Sequence, residues 1–380
     1  MNNQMAILMG NGVSIAANPE LFIPRLTKRI RKRFENVDPK REAPDRVLAR
    51  LAERGRDSGD PYKDFEAMIG PLDQQNDNLH DLEELAELVG DEVKAVKTAL
   101  ATVSTFVQGL RRLGVGHALD IIASESKASW DQSDVVDEFM RHAINVVSGR
   151  ITIGNLNYDS LGMAALLRST NDACDMARGF GSKEFDLLGD DRNRVGVPLR
   201  PSLSDFPARR VRLVHPHGSL NWLKDPATGL VYKFDIGTLR HLDFWAKWRD
   251  GETEWEPQVV LTNQSSKSKV VERPPFDLAY DALDQRLLSA DRWLIAGYSF
   301  RDECINDLLA NAWDEREFAP EVMVITMGNG LTDEDVLDAL GHTPFIDPDP
   351  ADFLSVCRCG IGGAMTCPTW QRWAGLPQAA

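Results

Sequence analysis

The sequence predicts an α/β fold in which a parallel sheet is covered by helices on both faces. Short apolar runs, typical of buried strands, alternate along the chain with segments of helical periodicity. The 380 residues are 43% hydrophobic, which is enough to bury a large core. The predicted strands cover residues 5–9, 150–153, 211–214, 258–261, 293–296 and 322–326, of which the last is the final strand.

Helical periodicity predicts helices at residues 160–168, 304–313 and 333–340, and a larger helical region earlier in the chain. In that region, apolar residues from Leu79 to Leu110 recur at spacings of mostly three and four, the period of one buried helical face. We therefore divide the chain into an α/β domain of residues 1–35 and 149–345, a mainly helical insertion of residues 36–148, and a C-terminal segment of residues 346–380.

The composition argues against some classes of function. The formal net charge of −15 disfavours a general nucleic-acid binder, which needs clustered cations for the phosphates. One basic run, residues 25–33, is placed at the C-terminal end of a first helix, where cations complement the helix dipole, with a patch that binds a partner or nucleic acid as the alternative. No stretch reaches the ~18 apolar residues of a membrane helix, and no signal peptide is recognisable. We expect a cytoplasmic protein, and the five scattered cysteines fit a reducing compartment.

Four short segments place glycine, polar and charged residues just after predicted strands. In an open parallel sheet, the loops at the carboxyl ends of the strands line one crevice, where ligands bind. Glycines allow the backbone to approach a pyrophosphate closely, and histidine is suited to proton transfer near neutral pH. The segments are Gly10-Asn11-Gly12-Val13-Ser14, Asn157-Tyr158-Asp159, His217-Gly218-Ser219, and Gly297-Tyr298-Ser299-Phe300 followed by Asp302.

Taken one at a time, each segment has a purely structural alternative. The glycines can form an ordinary tight turn, Asp159 can cap the next helix, His217 competes with His215, and Ser299 can cap a helix. The first segment also lacks the third glycine of the dehydrogenase fingerprint, and no acidic residue follows at the required distance. A hydride-transferring enzyme is therefore disfavoured.

As a set, the four segments resemble the Sir2 family, across roughly residues 5–330. That family has a glycine turn ending in serine, then Asn-x-Asp, His-Gly-Ser and Gly-x-Ser, in the order found here. The sequence motifs NYD, HGS and GYSFxD are similar to those of the bacterial Sir2-like NAD⁺ hydrolases of antiphage defence. Asp64-Phe65-Glu66 resembles an acidic–aromatic motif of the same proteins. Two features of sirtuin deacylases are absent, namely the zinc module of paired C-x-x-C motifs and the Gly-x-Pro-Asp-Phe-Arg stretch.

The resemblance implies a Rossmann-like fold and cleavage of the nicotinamide–ribose bond of NAD⁺, the substrate, to give nicotinamide and ADP-ribose. It implies that His217 is the general base and that Asn157 orients the ribose or the attacking water. Asp159 would hold the nicotinamide amide or fix its own turn, and the second role is favoured. The implied NAD⁺-binding residues are Gly10, Asn11, Gly12, Ser14, Asp159, Gly297, Ser299 and Asp302.

The scheme needs no metal, and we expect none. Three cysteines near the C-terminus, Cys357, Cys359 and Cys367, could hold an ion together with a fourth ligand from elsewhere. Ordinary half-buried cysteines are the favoured interpretation of this group.

Two other functions are considered. An NAD⁺-dependent protein deacylase is disfavoured by the missing sirtuin features. A non-catalytic sensor of NAD⁺ or ADP-ribose is disfavoured because it would not need both Asn157 and His217. An unrestrained NAD⁺ hydrolase would kill its host, so we expect a homo-oligomer that answers to a partner. The resemblance suggests a hexameric HerA-type ATPase or another defence protein as that partner.

Overall fold

The structure is a computed structural model that describes residues 3–37, 50, 64–89, 93–128, 133–190, 192–261, 264–344 and 346–375. Its strands are β1 (Met5–Met9), β2 (Ile151–Asn155), β3 (Ala173–Cys174), β4 (Lys183–Asp186), β5 (Asn193–Pro198), β6 (Val211–Val214), β7 (Gly218–Lys224), β8 (Val231–Phe234), β9 (Glu256–Val259), β10 (Arg292–Ala296), β11 (Glu321–Ile325) and β12 (Leu354–Cys357).

The helices surround these strands in the order of the chain. They are α1 (Asn11–Ala17), α2 (Ile23–Val37), α3 (Phe65–Ile69), α4 (Pro71–Val89), α5 (Lys94–Ala128), α6 (Asp134–Asn145), α7 (Leu161–Ser169), α8 (Ile236–His241), α9 (Phe244–Arg249), α10 (Gln264–Val271), α11 (Phe276–Ser289), α12 (Glu303–Asp314), α13 (Asp333–Ala339), α14 (Pro350–Phe353), α15 (Gly360–Ala364) and α16 (Pro368–Trp373). None of the helices in the described ranges combines the length and apolar character needed to cross a membrane.

The main sheet has seven parallel strands in the order β12-β11-β10-β1-β2-β6-β3. Strand β1 therefore lies at the centre, between β10 and β2, and is buried at all five positions. This arrangement confirms the predicted parallel sheet. The prediction that residues 322–326 form the final strand was wrong, because β12 adds a further parallel strand beside β11.

Helices cover both faces of this sheet, as predicted. Successive side chains of a strand point to opposite faces. Met5, Ile7 and Met9 of β1 thus pack in one hydrophobic cluster with residues of α6, α7 and α16, whereas Ala6 and Leu8 pack in another with α11 and α12. The near-continuous apolar run of β1 follows from this burial on both faces.

A second sheet of five antiparallel strands, in the order β4-β5-β8-β7-β9, was not predicted. The apolar run at residues 258–261 was assigned to the parallel sheet, but its first two residues form the end of β9 in this second sheet. The run is buried because it packs against the helical region. Val259 and Leu261 share one hydrophobic cluster with residues of α2, α3, α5 and α9.

The helical region differs from the sequence interpretation in two ways. Most of the apolar positions assigned to a buried face in α4 and α5 are exposed, among them Leu82, Leu85, Leu88, Val96, Val103 and Phe106. The two helices pack against each other, and no further element in the described part of the chain covers those positions. The basic run, residues 25–33, spans the middle of α2 (Ile23–Val37) rather than its C-terminal end, and two of its cations pair with acidic residues of α5. Arg29 pairs with Glu125, and Arg33 pairs with Asp120.

Candidate functional site

The four polar segments lie at the carboxyl ends of β1, β2, β6 and β10, which are neighbours in the main sheet. Because parallel strands end at the same edge, the loops after them meet there, as expected for a ligand-binding crevice. Two backbone hydrogen bonds join the first segment to the end of β10 and to the fourth segment. The N–H of Gly10 donates to the carbonyl of Ala296 at 2.9 Å, and the N–H of Gly12 donates to the carbonyl of Gly297 at 2.8 Å.

The glycines allow these two loops to touch. A Cβ atom at Gly10 would lie 2.6 Å from the carbonyl oxygen of Gly297, and one at Gly12 would lie 2.6 Å from the Cα of Gly297. Gly297 itself has φ +63°, a conformation that side chains disfavour. The glycines thus allow the backbones of the two loops to contact each other. As a result, both loops line the crevice with backbone atoms.

Asn157 and Asp159 connect the second segment to the first. The Nδ2 of Asn157 donates to the carbonyl oxygen of Gly10 at 3.0 Å. The hydroxyl of Ser14 donates to Oδ2 of Asp159 at 2.5 Å, and the other oxygen of that carboxyl accepts from the N–H of Leu161 at 2.9 Å. Burial raises the pKa of Asp159, although the hydrogen bonds from Ser14 and Leu161 act to lower it. In this structure Asp159 fixes the turn before α7 and holds α1 against it.

His217 lies on the turn between β6 and β7, with only 6% of the residue exposed. Its Nε2 is 2.8 Å from Oδ2 of Asp302, which is an ion-pair distance. The N–H of this nitrogen does not point well enough at the oxygen to form a hydrogen bond. The backbone of Leu156 also hydrogen bonds to the ring. Burial lowers the pKa of His217, and the positive charge of Lys267 lowers it further, while Asp302 and Leu156 oppose the shift. The ring is therefore neutral near pH 7, the form in which a histidine can accept a proton.

Asp302 joins His217 to a buried lysine. The Nζ of Lys267, on α10, donates to the same Oδ2 atom of Asp302 at 2.5 Å, and the lysine is 2% exposed. Burial alone would raise the pKa of Asp302, but the contacts with His217, which is protonated at the low pH where Asp302 titrates, and with Lys267 outweigh it and hold the pKa well below its ordinary value. Asp302 is therefore a carboxylate shared between two basic groups. It also caps α12, accepting from the N–H of Ile305.

A second acidic group approaches the site from α3. Glu66 accepts a hydrogen bond at 2.7 Å from the hydroxyl of Tyr158, which also contacts the carbonyl of Val260. Burial raises the pKa of Glu66 to about 7, and the nearby charge of Asp64 adds to that shift. The ring of Tyr158 lies 6.4 Å from that of His217, centroid to centroid, so Glu66 is linked to the site through Tyr158. A carboxyl group that titrates near neutral pH has the properties of a proton-transfer group.

His215, the competing histidine, lies outside this arrangement. It is 1% exposed and packs edge-on against Trp222, with ring centroids 5.5 Å apart. Neither ring nitrogen has a hydrogen-bond partner among the described residues. Burial lowers its pKa to about 4, so the ring is a neutral part of the core.

The structure brings together most of the residues singled out in the sequence. Gly10, Gly12 and Gly297 are in contact, Asn157 binds Gly10, Ser14 binds Asp159, and His217 faces Asp302. Asn11 is directed elsewhere, since its Nδ2 donates to the carbonyl of Leu21 at 3.2 Å, and Ser299 is exposed on the loop after β10.

Lys267 was missed. It stands in a polar stretch, Gln264–Val271, that resembles an ordinary surface segment, and nothing in its spacing indicates a buried ion pair. Glu66 was noticed as part of a motif but was not assigned to the site. The motif itself is the signal that could have placed it there.

Comparison with known proteins agrees with this geometry. The model of the SIR2-like domain matches residues 152–345, slightly more than half of the chain. The match contains Asn157, His217, Lys267 and Asp302, whereas the glycine turn at residues 10–14 precedes it. No curated protein sequence matches the chain. SIR2-like domains act on NAD⁺, so an NAD⁺-related activity is indicated in general. The chain belongs to the family of proteins with a SIR2-like domain.

Proposed function

We propose that this protein is an NAD⁺ glycohydrolase, which cleaves the bond between nicotinamide and ribose with water to give nicotinamide, ADP-ribose and a proton. The observation that carries the proposal is the buried, neutral imidazole of His217, held by Asp302 at the same sheet edge as Asn157 and the glycine turns. Membership of the SIR2-like family supplies NAD⁺ as the substrate.

In the proposed reaction, nicotinamide leaves as a neutral molecule while positive charge develops on the ribose. His217 takes a proton from the attacking water or from a ribose hydroxyl. A neutral imidazole has one N–H and one free nitrogen, so it can donate to only one of its two neighbours, Asp302 and Leu156. The ring nitrogen that carries no proton faces the other of these two neighbours. In the reaction, the water or ribose hydroxyl takes the place of that neighbour and gives its proton to this nitrogen.

Asn157 is assigned to positioning the reacting groups. Its Nδ2 is held by the carbonyl of Gly10, which fixes the plane of the amide and leaves the Oδ1 to orient the ribose or the water. The contact also couples Asn157 to the glycine turn, whose backbone we assign to the pyrophosphate together with the loop of Gly297 and Ser299. Asp302 and Lys267 act through His217, as positioning residues.

We further propose that the activity depletes cytoplasmic NAD⁺ during antiphage defence, inside a homo-oligomer that is controlled by a partner such as a HerA-type ATPase. Two observations support an assembly. The family resemblance extends to defence proteins, and α4 and α5 expose an apolar surface that includes Leu85, Leu88 and Phe106. Large exposed apolar patches are typical of protein–protein interfaces.

The test is to incubate stoichiometric amounts of purified protein with NAD⁺ and to follow nicotinamide and ADP-ribose over time. A parallel reaction contains an acyl-lysine peptide, and a third measurement records NAD⁺ binding. We expect nicotinamide release at the same rate with and without the peptide. Release only with the peptide would identify a deacylase, and tight binding with intact NAD⁺ would identify a sensor.

A further inference from the structure

Three cysteines lie close together beside β12, the outermost strand of the main sheet, outside the group of residues assigned to NAD⁺. Cys357 is the last residue of β12, Cys359 immediately precedes α15, and Cys367 immediately precedes α16. All three are free thiols, and their Sγ atoms lie within 4.8 Å of one another. The family match ends before this group, at residue 345.

The sulfur spacing is close to that of a metal site. In a tetrahedral site with metal–sulfur bonds of about 2.3 Å, the sulfurs are roughly 3.8 Å apart. The three sulfurs therefore need to approach one another by about an ångström or less to bind one ion.

Backbone N–H groups hydrogen bond to two of the three sulfurs, while burial raises the pKa of the Cys357 thiol to about 12. The backbone N–H groups of Thr369 and Trp370 hydrogen bond to Cys367, and the N–H of Cys359 hydrogen bonds to Cys357. Hydrogen bonds of this kind stabilise a charged sulfur, as the ligand of a cation must be.

Access to the group is one-sided. Cys357 and Cys367 are buried in the hydrophobic cluster that contains Ile361 and Trp370. Cys359 is exposed, so an ion has a path to the site, and the face opposite the two buried sulfurs remains open to water.

We propose that Cys357, Cys359 and Cys367 bind a thiophilic d¹⁰ cation of the Zn²⁺ type, with water in the fourth position. Thiolate ligands select soft or borderline ions over Mg²⁺ and Ca²⁺. Each thiol releases its proton to solvent as its sulfur binds the ion, and no electron is transferred. The bound ion links the last strand of the sheet to the two C-terminal helices.

This proposal departs from the sequence interpretation, which favoured ordinary cysteines. The sequence shows three thiols without a fourth protein ligand. It does not show that the turn after β12 and the start of α16 lie close together in the fold. This proximity brings the three sulfurs to one place, where water can be the fourth ligand.

The test uses the full-length protein, reduced and freed of metal, titrated with Co²⁺ and then with Zn²⁺. We expect equimolar Co²⁺ uptake with a thiolate charge-transfer band and the visible bands of tetrahedral cobalt, followed by displacement with Zn²⁺. Cys359→Ser, at an exposed position, and Cys367→Ser should each abolish stoichiometric uptake. Cys174→Ser and Cys304→Ser are matched controls that retain it, because these thiols lie outside the group.

Thermal unfolding provides an independent measurement. Zn²⁺ should raise the unfolding temperature of the wild-type protein and leave that of Cys359→Ser unchanged, because an ion that binds only the folded chain stabilises it. Reduced wild-type protein that unfolds cooperatively but takes up neither ion would overturn the proposal. Equimolar uptake that persists in both Cys359→Ser and Cys367→Ser would overturn it as well.

Discussion

The Nε2 atom of His217 lies 2.8 Å from Oδ2 of Asp302, and the ammonium group of Lys267 binds the same oxygen at 2.5 Å. The three side chains are buried, so water screens their charges only weakly. The pKa of His217 is therefore set by its burial, and then by a cation and a carboxylate that can each be removed by mutation.

The first prediction concerns the pH dependence of NAD⁺ cleavage. A general base must be unprotonated, so the rate falls as the pH drops through the pKa of His217. Burial and Lys267 lower that pKa. The acid limb of kcat/KM should therefore lie below the ordinary histidine value of about 6.5. An acid limb above that value in the wild-type protein would contradict the assignment.

Substitutions of the two charged neighbours should move this limb in opposite directions. Asp302→Asn removes the negative charge and leaves Lys267 beside the ring, so the pKa of His217 falls further. Lys267→Met removes the positive charge and leaves Asp302, so the pKa rises. The pH–rate profiles of both variants, compared with the wild type, test this pair. Shifts in the same direction would show that the two residues act only on the fold.

The second prediction concerns the contact between the two glycine loops. Gly12→Ala places a Cβ 2.6 Å from the Cα of Gly297, so the loops must separate, and we expect a large loss of NAD⁺ binding with a folded protein. Gly109→Ala is the matched control, because nothing lies within 4 Å of a Cβ there. In helix α5 that change should stabilise the protein by up to about 1 kcal/mol. Isothermal titration with NAD⁺ measures the first effect, and unaltered affinity in Gly12→Ala would contradict it.

The third prediction separates the two neighbouring histidines. His215→Ala should leave the rate of NAD⁺ cleavage close to that of the wild type. It should lower the free energy of unfolding at pH 7 by about 2 kcal/mol, because it removes a ring from the core. A rate loss as large as that of a His217 variant would show that the wrong histidine was chosen.

The same residue makes a contribution to stability that depends on pH. The pKa of His215 is depressed in the folded state to about 4, so its contribution is complete above about pH 6.5 and is lost as the pH falls through about 4. The full loss is about 3 kcal/mol. Denaturant unfolding between pH 7 and pH 4 should therefore show a steeper fall in the wild type than in His215→Ala. Equal slopes would mean that His215 is not kept neutral by burial.

The fourth prediction concerns assembly. Leu85 and Leu88 are 58% and 84% exposed on α4, so an interface there would be weakened by replacing both with lysine. Light scattering should show an oligomer for the wild type and a smaller species for the double variant. Leu167→Lys, at an exposed position on α7, is the control and should not change the mass. A wild-type monomer at all concentrations would contradict the proposed assembly.

The parallel sheet could be predicted because its strands are buried on both faces. Runs such as residues 5–9 and 293–296 are apolar at every position, a local signal that survives without knowledge of the neighbours. The antiparallel sheet could not be predicted in the same way. Strand β4, with the sequence KEFD, is mostly exposed, and β5 alternates weakly, so their pairing depends on contacts that are distant in the sequence.

The candidate site shows the same division. Asn157 and His217 stand in short motifs after strong strands, so their meeting at one sheet edge could be expected. Lys267 enters from α10, a polar segment whose position depends on packing against α11 and α12. The exposed face of α4 was mistaken for a buried one because helical periodicity reports that apolar residues share a face, and not what covers it.

The assignment of His217 and Asn157 to NAD⁺ cleavage is tested most directly by nicotinamide release from wild-type protein, His217→Ala and Asn157→Ala, measured side by side in preparations free of other NAD⁺-cleaving enzymes. Equal circular dichroism spectra and unfolding temperatures first establish that all three proteins are folded. We expect steady release by the wild type and a loss of about 10²–10⁴-fold in His217→Ala, the usual effect of removing a general base. We expect a severe loss in Asn157→Ala as well. Near-wild-type turnover by either variant would contradict the assignment of this site.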